Sequence, residues 1–280
     1  MTGIETVFFW ITVILLAIAS SLFAGGISFR RTRPIGVAYW LTVAAAAALT
    51  IAIISRTLAV GHLPLTSKYE GSLTTPWLMI LIYVWLQFKI KNLRPFGVAI
   101  APIALIILGA GVMSGPKIGP LTPQLRSIWL YAHATFSQLT VVSMLVAFGL
   151  AVLYLFKERG LRAGYGAGTS GLNKLPAPEV LDDLSFRFII FGYITSTIMI
   201  ITGSIWANHL WGSYWNWDPI ETWSLISWLI YGIYLHTRFS YGWKGRRASW
   251  FAIIATISII INFWGVAYLT QTFHILSRLS

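Results

Sequence analysis

The sequence predicts an all-α polytopic membrane protein with about eight transmembrane helices and both termini outside. Three observations carry this. Of 280 residues, 57% are hydrophobic and 10% charged, against about 25% charged in a soluble domain. The apolar residues come in runs of roughly 17–25, the length that crosses a bilayer as a helix. Finally, 20 Lys and Arg stand against 8 Asp and Glu, formally +12, with most of the surplus in short gaps between apolar runs. In a soluble chain that surplus suggests nucleic acid; in these gaps it is a topology signal. With no cysteine, a disulfide framework, a thiol relay, an iron–sulfur site and a covalently attached c-type heme on this chain are excluded.

The spans fall near 5–29, 35–55, 75–91, 95–113, 127–156, 185–206, 219–239 and 248–270. The first carries Glu5 and no leading Lys or Arg, and its apolar stretch exceeds a signal-peptide h-region, so it reads as a retained helix. Alternate gaps are basic. One side holds Arg30, Arg31, Arg33, Lys89, Lys91, Arg94, Lys157, Arg159, Arg162, Lys174, Arg187, Arg238, Lys244, Arg246 and Arg247, which is 15 of the 20 basic residues. The other side holds Arg56, Lys68, Lys117, Arg126 and Arg278, in loops. Positive-inside bias puts the first set in the cytoplasm. The gap 157–184 contains Gly160, Gly164, Gly166, Gly168, Gly171, Pro176 and Pro178 and reads as a flexible cytoplasmic linker. It separates a five-helix part, 1–156, from a three-helix part, 185–280. The gap 111–126, with Pro116, Pro120 and Pro123, reads as an irregular external loop.

Between the sixth and seventh spans the sequence runs W-A-N-H-L-W-G-S-Y-W-N-W-D-P-I-E-T-W, an external loop at 206–223. Trp206, Trp211, Trp215, Trp217, Trp223 and Trp228 fall within 23 residues, and the other eight tryptophans spread over 257. An interfacial aromatic belt accounts for one or two tryptophans per helix end. A cluster this dense, with Tyr214, Gly212 and Asn208, suits a platform for a planar aromatic ligand. Within it, Asp218-Pro219-Ile220-Glu221 has the grammar of a helix start, with Asp at N-cap, Pro at N1 and Glu at N3. Asp218 accepts from the Glu221 N–H and Glu221 reaches back to the Asp218 N–H, which makes the pair structural rather than an acid and base.

Each histidine in such a chain needs a reason. His133 opens the fifth span, whose roughly 30 residues make about 45 Å of helix, and it emerges on the Trp-loop side. His274 follows the eighth span and emerges there too. Two histidines flanking the loop are the arrangement for bis-imidazole ligation of a heme. His236 lies near the inner end of the seventh span, with Gly232 one turn earlier clearing a notch. Alone it reads more often as a polar interface residue than as a ligand. His62 and His209 lie in outer loops as solvated or propionate-contacting residues, and Arg56, Lys68 and Arg126 are candidate propionate partners.

The tryptophan-rich stretch and the downstream Y-L-H-T-R at 234–238 resemble the "WWD" domain of heme-handling membrane proteins. The form is similar to the CcsA (ResC) family of system II cytochrome c biogenesis, as is G-H-L-P-L-T-S-K-Y-E at 61–70. The resemblance is densest over 183–275, and His209 and Ile220 depart from the residues common in the family. It implies non-covalent b-type heme held by His133 and His274 beside Trp206, Trp211, Trp215, Trp217, Asp218 and Trp223. It also implies that His236 takes part in an inner site whose other ligand comes from a CcsB (ResB) partner. By the same resemblance, heme is carried to the outer face and presented to the CXXCH thiols of apocytochrome c, and the chain leans to being a subunit of a cytochrome c synthase. Bond formation then belongs to heme vinyls and substrate thiols, in keeping with the absence of cysteine and of a nucleophile–base pair. The implied site is the bacterial cytoplasmic or thylakoid membrane, with the loop on the periplasmic or lumenal side. Alternatives are a system I type heme handler (CcmC- or CcmF-like), a b-type electron-transfer subunit, which lacks a second membrane-embedded histidine, and a transporter, which lacks evident mid-membrane helix breaks.

Overall fold

A computed structural model describes residues 1–90, 92–115, 125–162 and 175–266. They form eight long helices: α1 (Gly3–Ser28), α2 (Thr32–Val60), α3 (Lys68–Lys89), α4 (Gly97–Met113), α5 (Ile128–Arg162), α6 (Pro178–Trp211), α7 (Pro219–Ser240) and α8 (Arg246–Ile260). A 3-10 turn, Arg94–Phe96, leads into α4, and a π-helical stretch, Ile261–Val266, extends α8. Seven of these are long and apolar enough to cross a membrane. The helix outside that set is α7, which has a spanning length of 22 residues but carries Glu221, His236 and Arg238. The chain is a helical integral membrane protein. Proline-rich 116–124, the centre of the glycine-rich gap at 163–174 and the tail that includes His274 lie outside the described residues.

Helix starts follow from local chemistry. Thr2 and Ser67 each cap with an Oγ that accepts the N3 amide, while Glu5 and Glu70 return the bond to the cap amide, which satisfies two orphan donors per helix. The α2 helix stops at Gly61, whose φ of 73° is the left-handed conformation that glycine adopts without a Cβ penalty.

By contacts the chain divides into two compact units: Met1–Gly119 with Val152–Leu181, and Pro120–Ala151 with Asp182–Ser280. In this division the first part of α5 groups with the C-terminal helices. The α5 helix continues to Arg162, α6 begins at Pro178, and Lys157 Nζ holds the carbonyls of Leu175 and Pro176.

In the first unit, Phe9, Leu16, Ala19 and Phe23 of α1 and Ala38, Ala45, Leu49 and Ala52 of α2 are buried, the alanines among them letting membrane helices approach closely. On α1, Ile4, Val7, Trp10, Ile14 and Ile18 stay exposed, a row suited to lipid. A charged network lies where α1, α2 and α3 begin or end. Glu5, Arg56 and Glu70 are 0%, 2% and 1% exposed. Arg56 Nε meets Glu70 Oε1 at 3.2 Å, and its guanidinium lies 5.3 Å from the Tyr69 ring centre. Tyr69 Oη donates to Glu5 at 2.8 Å, and Glu70 Oε2 also accepts from the Thr66 and Ser67 amides at 3.0 and 3.2 Å. Arg56 is therefore not in a loop. Its place is inside α2, where the ion pair with Glu70 makes it structural and not a propionate partner.

In the second unit, hydroxyls tie helix to helix: Thr140 to Thr195 at 3.0 Å, Ser185 to the Ala147 carbonyl at 3.0 Å, and Tyr231 to Thr256 at 3.1 Å. At the α6 start, Arg238 binds both carboxylate oxygens of Asp182 at 2.9 and 3.0 Å and covers the Phe186 ring at 4.4 Å. Asp182 also accepts from the Gly245 amide at 3.1 Å. One carboxylate thus joins the ends of α6 and α7 to the turn before α8.

Candidate functional site

His133 sits on the second turn of α5 and packs on α6. Its Nδ1 lies 2.9 Å from the Met199 carbonyl. A carbonyl only accepts, so Nδ1 carries the proton and Nε2 is the basic nitrogen of the neutral ring. Metal-binding histidines are oriented this way, with the far N–H given to a backbone carbonyl or carboxylate. Two further α6 residues complete the seat. Trp206 stacks on the imidazole at 6.3 Å and 24°. Gly203 leaves the room, since a Cβ there would come within 2.6 Å of Nδ1. Met199, Gly203 and Trp206 follow helical spacing, so they form one stripe on α6. The histidine and the tryptophan were legible in the sequence. Gly203 and the Met199 carbonyl were not, because a carbonyl has no residue signature and a glycine in an apolar run reads as packing.

The tryptophan cluster is less of a loop than the sequence suggests. The α6 helix runs through Trp206 to Trp211, and α7 begins at Pro219 with Trp223 on its second turn, so only 212–218 is irregular. Trp206 is buried and Trp211 and Trp217 are exposed. Trp215 and Trp217 meet edge to face at 5.8 Å and 85°; their rings make a corner, not one flat shelf. Trp217 adopts φ 56°, a conformation that strains a residue with a Cβ. The Trp215 Nε1 proton is buried without a partner among the described residues. Ser204 Oγ holds the Tyr214 carbonyl at 2.6 Å and fixes the loop to α6.

Asp218 caps α7 as expected, with Oδ1 accepting from the Glu221 amide at 2.8 Å. The return bond differs. Glu221 Oε2 accepts from the Asn216 amide at 2.7 Å, two residues ahead of the cap, and so braces the loop itself. The αL turn at Trp217 brings the Asn216 amide over the first turn of α7.

His236 is exposed near the end of α7, with Nδ1 3.2 Å from Ser240 Oγ and its ring edge-to-face with Tyr241 at 5.7 Å. It shares an exposed face with Leu229 and Ile233. The Gly232 notch is not open beside it, because Tyr193 of α6 lies 3.2 Å from a Cβ built there and stacks on Trp228 at 5.2 Å. His62 Nδ1 bonds the neighbouring Leu63 carbonyl, and His209 is exposed at the end of α6. Lys68 begins α3, and Arg126 is exposed ahead of α5. Among the described residues no group of three or more His, Cys, Asp or Glu surrounds a metal site.

A family model described as cytochrome C assembly protein matches residues 65–274. A cytochrome c biogenesis protein CcsA of Guillardia theta is 32% identical over 94% of this chain and 93% of its own length. The chain belongs to the CcsA family. A second CcsA, from Synechococcus sp. (strain RCC307), is 36% identical over 84% of this chain and 82% of its own. Among solved structures, cytochrome c heme lyase CcmF superposes with a TM-score of 0.72 over 99% of this chain at 17% identity. This CcsA family member spans half of the CcmF chain and shares its fold. The family handles heme, and the residues here fit a porphyrin: an imidazole with a carbonyl-fixed tautomer, a stacked indole beside it, and a buried indole N–H without a partner among the described residues.

Proposed function

We propose that the chain holds non-covalent b-type heme as cargo on the external side of a bacterial cytoplasmic or thylakoid membrane and presents it to apocytochrome c. His133 and His274 would hold the heme iron, and Trp206, Trp211, Trp215, Trp217, Asp218 and Trp223 would form or brace the surrounding wall. The observation that carries this reading is the His133 seat. A backbone carbonyl, a glycine notch and a stacked indole hold one imidazole in one tautomer beside the tryptophan loop. A half-buried imidazole held in this way is preorganised to present its other nitrogen to a ligand.

The heme vinyls and the CXXCH thiols supply the bond-forming chemistry. This chain orients and excludes: Met199 fixes the imidazole, Ser204 and Glu221 fix the loop, and the indoles keep water from the porphyrin face. With a CcsB (ResB) partner the chain acts as a subunit of a cytochrome c synthase, and His236 serves an inner site completed by that partner. A pyridine hemochrome assay on the purified protein tests the outer site. His133→Ala is expected to lower bound heme and abolish cytochrome c maturation, with partial rescue by imidazole. Full heme content and normal maturation in a His133→Ala/His274→Ala double variant defeat the assignment.

A further inference from the structure

Beside Met199 the second unit holds a small chamber with both apolar and polar side chains in its walls. Its walls include Met144 of α5, Met199 of α6, Ser224 and Ser227 of α7, and Asn262 of the π-helical stretch. Met199 is the same residue whose carbonyl orients His133. Asn262 donates through Nδ2 to Ser224 Oγ at 3.0 Å, but its Oδ1 has no partner among the described residues, and neither has Ser227 Oγ. These side chains are 5% and 3% exposed. Two orphan polar atoms lining one chamber are a specification for a ligand, because buried polar groups in native proteins are paired, and in hydrocarbon bulk water does not reach them.

We propose that this chamber is a built water site. The chemistry selects water over the alternatives. An amide oxygen accepts only, whereas a serine hydroxyl both donates and accepts; a molecule that donates to one and exchanges either role with the other satisfies both. Among the described residues no charged side chain lines the chamber, so an ion would be unpaired at membrane depth. The free space matches about one water molecule, too little for an organic ligand. The π-helical stretch serves the site, since a widened turn, frequent where helices carry function, sets the Asn262 amide across from α7. The bound water completes the polar tie between α7 and the end of α8, beside the α6 residue that holds the His133 ring.

The chain carries its own reporters. It has five methionines; Met144 and Met199 line the chamber, and Met79 is fully buried in the other unit. X-ray-generated hydroxyl radicals formed from a bound water oxidise the side chains next to it, and peptide mass spectrometry reads the added oxygen. On the full-length protein in lipid nanodiscs, Met144 and Met199 should oxidise with dose while Met79 does not. Asn262→Leu, similar in size but without the acceptor, should bring both to the Met79 level, and Ser227→Ala should lower both. Oxidation of Met144 and Met199 no faster than Met79 in the unaltered protein overturns the proposal. Wild-type rates in Asn262→Leu overturn it as well. If that variant does not fold, the unaltered protein and Ser227→Ala decide the question.

Discussion

Gly203 and His133 are fitted to each other: a single methyl at Gly203 would lie 2.6 Å from the Nδ1 that bonds the Met199 carbonyl. The ring is also bonded to the Met199 carbonyl and stacked on Trp206, so it cannot shift without giving up one of these contacts. Gly203→Ala should therefore displace the ring without harming α6, because alanine is the better helix former. Loss of an orienting partner weakens a metal-ligating histidine about 10-fold or more. The expected result is a fall in heme content of that order with circular dichroism unchanged, measured by hemochrome titration. Unchanged heme affinity shows that the seat is packing alone.

Asp218 and Glu221 now have separate jobs, and their variants should separate too. Asp218→Ala removes the cap of α7 and costs about 1 kcal/mol, while Asp218→Asn keeps the acceptor and most of the stability. Glu221→Gln keeps an oxygen for the Asn216 amide and should retain function. Glu221→Ala frees the loop and should lower heme retention more than melting temperature. Thermal melts and heme retention measured on the same samples separate the two effects. An Asp218→Asn variant as inactive as Asp218→Ala with heme bound points to a charge-dependent role instead.

Trp217 holds a left-handed backbone with an exposed ring, strain worth about 1 kcal/mol or more. Trp217→Gly should relieve that strain and leave the fold at least as stable, yet lose heme, because the ring is gone. Trp217→Phe should keep the strain and much of the binding. Loop stability by proteolysis and heme content by hemochrome should thus move in opposite directions in the glycine variant. A Trp217→Gly protein with full heme removes the ring from the site.

How much of this was legible in the sequence depended on what kind of chemistry was at work. Long apolar runs gave the helices, since bilayer thickness dictates their length, and Asp218-Pro219 gave the α7 start because capping is a rule about adjacent residues. Arg56 misled, because topology counting treats a basic residue between spans as a loop residue, whereas Glu70 fourteen positions on pairs with it inside the fold. Gly232 misled for the same reason; a notch is visible in sequence, but the Tyr193 that fills it belongs to another helix. The Glu221–Asn216 bond depended on a positive φ at a tryptophan, which no residue preference signals.

The Arg56–Glu70 pair yields a stability prediction. Both side chains are fully buried and hydrogen-bonded at the α2–α3 junction. Removing one partner of a buried pair leaves an uncompensated charge and costs about 3 kcal/mol or more. Arg56→Met and Glu70→Gln should each lower the melting temperature sharply, and Arg56→Met/Glu70→Met should recover part of the loss. Heme bound per folded molecule should stay constant across the set. A selective heme defect in a well-folded Arg56→Met protein returns Arg56 to the list of propionate partners.

His236 makes the last prediction, and its exposure carries it. The ring stands on an α7 face shared with Leu229 and Ile233, all exposed, and Ser240 Oγ lies within hydrogen-bond reach of Nδ1. A hydroxyl both donates and accepts, so Ser240 steadies the His236 ring without choosing its tautomer, unlike the carbonyl at His133. Yet among the described residues no second histidine lies beside His236, and the Gly232 side of the helix is filled by Tyr193. A six-coordinate inner heme therefore needs an axial ligand from another chain. Expressed alone, the protein should bind heme at the outer site only, and His236→Ala should leave its reduced-minus-oxidised spectrum unchanged. Co-expressed with its partner, His236→Ala should remove a second heme signal and stop heme from reaching the tryptophan loop, with Ser240→Ala weakening that signal less. Stoichiometric inner heme in the isolated chain, lost on His236→Ala, would falsify the partner requirement and place the second ligand within this protein.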